Sequence, residues 1–161
     1  MKTLYIIRHA KSSWEFDLED KKRPLNPRGL LDAELVGKEL KTLVKTLDLI
    51  LFSPAVRAYS TAKIINKYLD MPENLFIVKE ELYDFDGSKV IETVKKCEDT
   101  INSLMIFGHN HAFTSIANNY GSEAIDNLPT CGVVVIEFDC DKWEQINVGK
   151  TLHVIRPKFL K

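Results

Sequence analysis

The chain has 161 residues, 45% of them hydrophobic and 28% charged, and its 22 basic and 23 acidic side chains give a net charge of −1. That length is close to the about 150 residues of a typical domain and can bury a core, so a single domain over 1–161 is expected. The composition excludes the disordered and membrane-spanning classes, and the balanced charge offers nucleic acid no global positive field.

The first apolar run, Leu4–Ile7, has the length of a buried strand and stops at Arg8-His9. It is too short for the about 7–15-residue apolar stretch of a signal peptide, and no run approaches the about 20 residues that cross a bilayer. Residues 15–23 carry both charge signs and read as an exposed loop. Asn26-Pro27 then has the form of a helix start, with asparagine as N-cap and proline in the first turn. Val36, Leu40, Leu43, Val44 and Leu47 mark the apolar stripe of the helix that follows.

A second strand is expected over Leu49–Phe52, with Ser53-Pro54 capping a helix whose inner face is Ala58, Ala62, Ile65 and Leu69. Leu75–Val78 and Leu104–Phe107 read as further strands, separated by a helix over about 88–97, and another helix covers about 112–120. Val133–Phe138, a segment from Trp143 onward and Leu152–Ile155 add later strands. Alternation at this spacing implies right-handed crossovers and a three-layer α/β/α fold with a mainly parallel sheet. The short connection at Cys140–Lys142 makes at least one strand antiparallel. Cys97, Cys131 and Cys140 are odd in number and lack CxxC spacing, so reduced thiols in a cytoplasmic protein are expected.

Ligands of open α/β sheets bind beyond the carboxyl ends of the strands. Arg8 and His9 follow the first strand, Arg57 lies in the first helical turn after the second, and His109 follows the fourth. Guanidinium groups match phosphate oxygens as a fork and keep their charge. A neutral imidazole can attack phosphorus, while a protonated one can stabilise the charge on the transferring group. His9 and His109 have the chemistry for those two roles. Two other readings use the same residues: a metal-dependent hydrolase built on His109-x-His111, and a phosphate-binding module without catalysis. The first would need further ligands at strand ends, and none is evident. His153, in a late alternating stretch, is given no role.

The string from Arg8 to Trp14, the segment Arg23-Pro24-Leu25-Asn26-Pro27-Arg28-Gly29, Ser53-Pro54-Ala55-Val56-Arg57-Ala58 and Gly108-His109-Asn110 together resemble the histidine phosphatase superfamily. Within it they are similar to the small bacterial phosphohistidine phosphatases of the SixA type. Ala10 stands where the wider superfamily has glycine, a departure that fits this branch. The resemblance implies a phosphoglycerate mutase-like α/β fold without a large lid insertion. It also implies a metal-independent phosphatase with no cofactor, in which His9 is the phosphorylated nucleophile and Arg8, Arg57 and His109 hold the phosphoryl group. Lys11 and Arg23 are expected to face the site mouth, and Glu81 is a candidate proton donor, although Glu80-Glu81 reads equally as a surface carboxylate pair.

The missing insertion bears on the substrate. An alkoxide leaving group gains much from a positioned acid, about 10²–10⁴-fold, whereas imidazole leaving from phosphohistidine needs less help. The expected partner is therefore a phosphorylated protein of the histidine phosphotransfer type, with neither nucleic acid nor membrane involved. The expected pH profile is bell-shaped, with His9 neutral and His109 charged.

Overall fold

In the computed structural model, which describes residues 1–161, ten regular elements alternate along the chain. They are β1 (Lys2–Arg8), α1 (Pro27–Leu43), β2 (Leu49–Phe52), α2 (Val56–Leu69), β3 (Phe76–Val78), α3 (Ser88–Lys95), β4 (Ser103–Gly108), α4 (Ala112–Tyr120), β5 (Val133–Phe138) and β6 (Lys150–Ile155). The sheet order is β3-β2-β4-β1-β5-β6. The first four strands run parallel, while β5 pairs antiparallel with both β1 and β6. This is the expected three-layer arrangement, with its antiparallel pairing at one side of the sheet.

Side-chain alternation on β1 shows why two helical layers are needed. Leu4 and Ile6 face the layer of α3 and α4, where Val90, Val94, Phe113 and Ile116 complete a core of 19 buried residues. Tyr5 and Ile7 face α1 and α2, where Val36, Leu40, Ala62 and Ile65 complete a core of 16. A strand buried on both sides reads as a continuous apolar run, as Leu4–Ile7 does.

Asn26 caps α1 as expected, its side chain accepting from Gly29 N at 2.8 Å. Gly29 lets that first turn lie on the main chain of Lys11: a Cβ there would stand 2.1 Å from the Lys11 carbonyl oxygen. Four local expectations differ. Helix α1 stops at Leu43, so Leu47 is buried from a loop. Residues 73–75 form a 3-10 turn, which delays β3 to Phe76. The segment from Trp143 is also a 3-10 turn, because the indole is fully buried and donates to Ile101 O at 2.7 Å. Finally, the N-cap of α2 is Ala55, and Ser53 does other work.

Candidate active site

The carboxyl ends of β1, β2 and β4 converge on one pocket of about 240 Å³, lined by Arg8, His9, Arg23, Arg57 and His109 among others. The main chain places His9 firmly. Its N–H donates to Gly108 O at 3.0 Å, and its carbonyl accepts from Cys131 N at 2.9 Å, so β4 and the approach to β5 hold it from two sides. Its ring Nδ1–H donates to Ala10 O at 2.7 Å. That bond fixes the tautomer and leaves the Nε2 lone pair turned into the pocket, where Arg57 Nε points at it from 3.4 Å. The His9 and His109 ring centroids lie 5.3 Å apart.

His109 is held by Ser53, whose Oγ lies 2.7 Å from its Nε2. Ser53 Oγ also accepts from Ala55 N at 3.2 Å. The Nδ1 of His109 looks toward Arg57 Nη2 at 3.4 Å. Tyr83 and Phe85 pack on the same ring, at 5.3 and 5.1 Å between centroids. Between them Asp84 turns inward and accepts from the main-chain N–H groups of Gly87, Lys89 and Val90, which anchors the turn.

Three guanidinium groups surround the imidazoles. Arg8 donates from Nη1 to Leu128 O at 2.8 Å, and its buried Nε has no protein partner. Arg57 is 3% exposed, and Arg23 is also buried. Arg23 lies deeper than the mouth position expected for it: it stacks 3.3 Å from the Trp14 ring centre and donates to Ser13 O, the Ser12 hydroxyl and Asp20. Lys11 is exposed at the pocket edge, as expected.

Asp20, in the stretch expected to be an exposed loop, belongs to the pocket. Its Oδ2 accepts from Arg57 Nη2 at 2.8 Å and from Tyr83 Oη at 2.5 Å, and its Oδ1 accepts from Arg23 Nη1 at 2.9 Å. Its carbonyl oxygen accepts from Arg57 Nη1 at 2.6 Å. Burial pushes this carboxyl upward, but the hydrogen bonds from Tyr83 and Arg57 and the charge of Arg57 outweigh it and hold the group well below the usual carboxylate range. An isolated acid in a charged run has no periodicity to mark it in sequence.

Glu81 is not brought to this pocket. It is exposed on the 3-10 turn Glu80–Leu82, where Leu82 takes the inward position, and it lines a separate cavity of about 600 Å³ with Leu49, Leu51 and Ile77. That larger cavity contains none of the paired histidines and arginines. His111 is exposed at the start of α4, and no three His, Cys, Asp or Glu side chains gather as a metal site would require. His153 is exposed on β6, opposite Val135.

The surroundings of His109 work against the expected charge on it. Burial, aided by the charges of Arg57 and Arg8 and opposed by the hydrogen bond to Ala10 O, pushes His9 down to about 3. Burial, His9 and Arg57 do the same to His109, also to about 3. Both rings are therefore neutral at physiological pH, and the acid limb of kcat/KM is expected to lie below the pH 5–8 range. Stability carries the same signature. Below about pH 6.5 the unfolded chain binds protons at these two positions and the folded chain does not, so stability falls as pH drops from 6.5 toward 3. Urea unfolding is expected to show this loss, and His109→Asn to reduce its slope by up to about 1.4 kcal/mol per pH unit.

The family model of the histidine phosphatase superfamily (branch 1) matches residues 4–87. Among solved structures, the protein histidine phosphatase SixA complexed with tungstate superposes with a TM-score of 0.84, covering 99% of each chain at 22% identity, a likeness of fold. Among curated proteins, the uncharacterized Mycobacterium tuberculosis protein Rv1276c is 29% identical over 153 residues, covering 89% of this chain and 93% of its own. The uncharacterized phosphatase PhoE of Bacillus subtilis is 32% identical over 106 residues, 63% of this chain and 54% of its own.

Proposed function

The chain belongs to the histidine phosphatase superfamily, and we propose that it removes phosphoryl groups from phosphohistidine-bearing proteins through a phosphorylated His9. The observation that carries this reading is the convergence of four side chains on one small pocket. The unprotonated Nε2 of His9 faces Arg57, with Arg8 and His109 beside it. In the first step Nε2 attacks phosphorus, and the bond to the substrate nitrogen breaks on the opposite side, the substrate imidazole leaving with the electron pair and a proton taken from solvent. Arg8 and Arg57 donate to the equatorial oxygens, where charge gathers. Neutral His109, whose Nδ1 accepts from Arg57 Nη2 and whose Nε2–H is given to Ser53 Oγ, holds the guanidinium in place beside His9. Water then attacks the phosphoryl group on His9, releasing phosphate and restoring the imidazole.

Two features support a protein substrate. The only carboxylate lining the pocket is Asp20, which its partners keep ionised, so no strong acid stands ready for an alkoxide leaving group. An imidazole leaving group demands less. Apolar side chains also stand at the mouth. Trp14 and Phe85 line the pocket at 75% and 45% exposure, and Phe16 and Leu18 stand exposed on the same loop as Trp14. Exposed apolar groups such as Trp14 and Phe85 at a site mouth suit a protein surface better than a free sugar phosphate.

The test is a parallel assay of a phosphohistidine-carrying phosphotransfer protein, an aryl phosphate and small sugar phosphates, with and without EDTA. The expected result is a higher kcat/KM on the phosphohistidine protein, unchanged by chelation, because the arginines supply the positive charge. Faster turnover of the sugar phosphates would overturn the substrate assignment, and loss of activity in EDTA would overturn the mechanism.

A further inference from the structure

The guanidinium fork of Arg57 is occupied by a group of the chain itself. Asp20 takes both of its terminal nitrogens, Nη2 through the carboxylate and Nη1 through the carbonyl oxygen. The segment that carries Asp20, Glu15–Lys22, has few other ties. Residues 15–19 are all exposed. The one hydrogen bond from its main chain to residues beyond Ser13–Arg23 is the bond from Asp20 O to Arg57. Apart from Asp20, only Lys21 reaches out, at 3.4 Å from exposed Glu80 and over the Tyr83 ring. Asp20 is thus the pin of a strap laid across the pocket, and its carboxylate is 41% exposed, with open solvent to swing into.

The charges make this arrangement bistable. Three guanidinium groups share one pocket, and the Asp20 carboxylate offsets their mutual repulsion. A phosphoryl group brings about −1.5 to −2 charges, needs the same Arg57 fork and is repelled by the carboxylate already there. Resting on the functional reading above, we propose that Asp20 is a built-in competitor of the phosphoryl group, displaced from Arg57 together with its strap when a dianion enters. A dianion outbids one carboxylate for Arg57, whereas a monoanion such as a phosphodiester has no charge advantage over it. The strap therefore selects terminal phosphoryl groups before chemistry begins.

The experiment measures the binding of inorganic phosphate at neutral pH by calorimetry. The proteins compared are wild type, Asp20→Asn and Asp20→Ala, with thermal melting to verify folding; the asparagine variant keeps the side-chain shape if alanine does not fold. Removing the competing charge is expected to tighten phosphate binding about tenfold or more, and adding Arg57→Ala to the same background is expected to abolish the gain. In wild type, amide hydrogens of Glu15–Lys22 are expected to exchange faster once phosphate saturates the pocket. Equal or weaker phosphate binding by Asp20→Asn would overturn the proposal, as would slower exchange of the strap in wild type with phosphate. If Asp20→Asn binds phosphate tighter but wild type turns over no phosphohistidine protein, the functional reading fails and the competition stands. If wild type turns over that substrate but Asp20→Asn binds no tighter, the competition alone fails.

Discussion

Replacing His9 with alanine is expected to lower kcat at least about 10⁴-fold, because the covalent intermediate of the proposed mechanism forms on its Nε2. Arg57, Arg8 and Arg23 are cationic and have no lone pair to offer. His109 has one nitrogen engaged by Ser53, and its other faces Arg57. The loss is expected without unfolding. The fold at this position is held by main-chain bonds to Gly108 and Cys131, and the ring itself makes two bonds, to Ala10 O and from Arg57 Nε. Single-turnover kinetics beside thermal melting check both halves of the prediction. A His9→Ala protein that is folded and turns over at more than a hundredth of the wild-type rate would remove His9 from the mechanism.

Arg57→Lys is expected to lower kcat about 10²–10³-fold although the charge is conserved, the magnitude that follows loss of an oriented transition-state donor. Arg57 reaches His9 Nε2 from Nε, His109 Nδ1 from Nη2 and Asp20 from both terminal nitrogens. A planar fork spans these partners at once. A lysine ammonium is a single point at the end of a flexible stem and can satisfy only part of the set. Steady-state kinetics check this, and turnover near the wild-type rate would show that Arg57 contributes charge and no geometry.

Much of this site is legible in the sequence, for a physical reason. Once Leu4–Ile7, Leu49–Phe52 and Leu104–Phe107 read as buried parallel strands, the residues that follow each one must gather at the same sheet edge. Arg8, His9, Arg57 and His109 are therefore brought together by topology, and the structure has them within one pocket. The family resemblance carried on those same residues agrees with the matched family model. What stayed hidden belongs to irregular backbone. Asp20 lies in a charged loop whose pattern matches any solvated surface, and its role exists only because the chain returns over Arg57. Ser53 has the form of a helix cap, yet its hydroxyl serves His109 while Ala55 takes the cap position. For Glu81, the 3-10 turn decides: Leu82 goes to the core, and Tyr83, two residues after Glu81, faces the site. The charge state of His109 depends on burial among arginines, a three-dimensional quantity that chain order does not contain.

The most direct test of phosphoryl transfer through His9 is to quench the protein during turnover of a phosphohistidine substrate and map acid-labile, base-stable phosphate by peptide mass spectrometry. A phosphoryl group on the Nε2 of His9, formed and consumed at rates compatible with kcat, is the predicted result. Full turnover with no phosphate on His9 at any quench time, or with the label on His109, would contradict it.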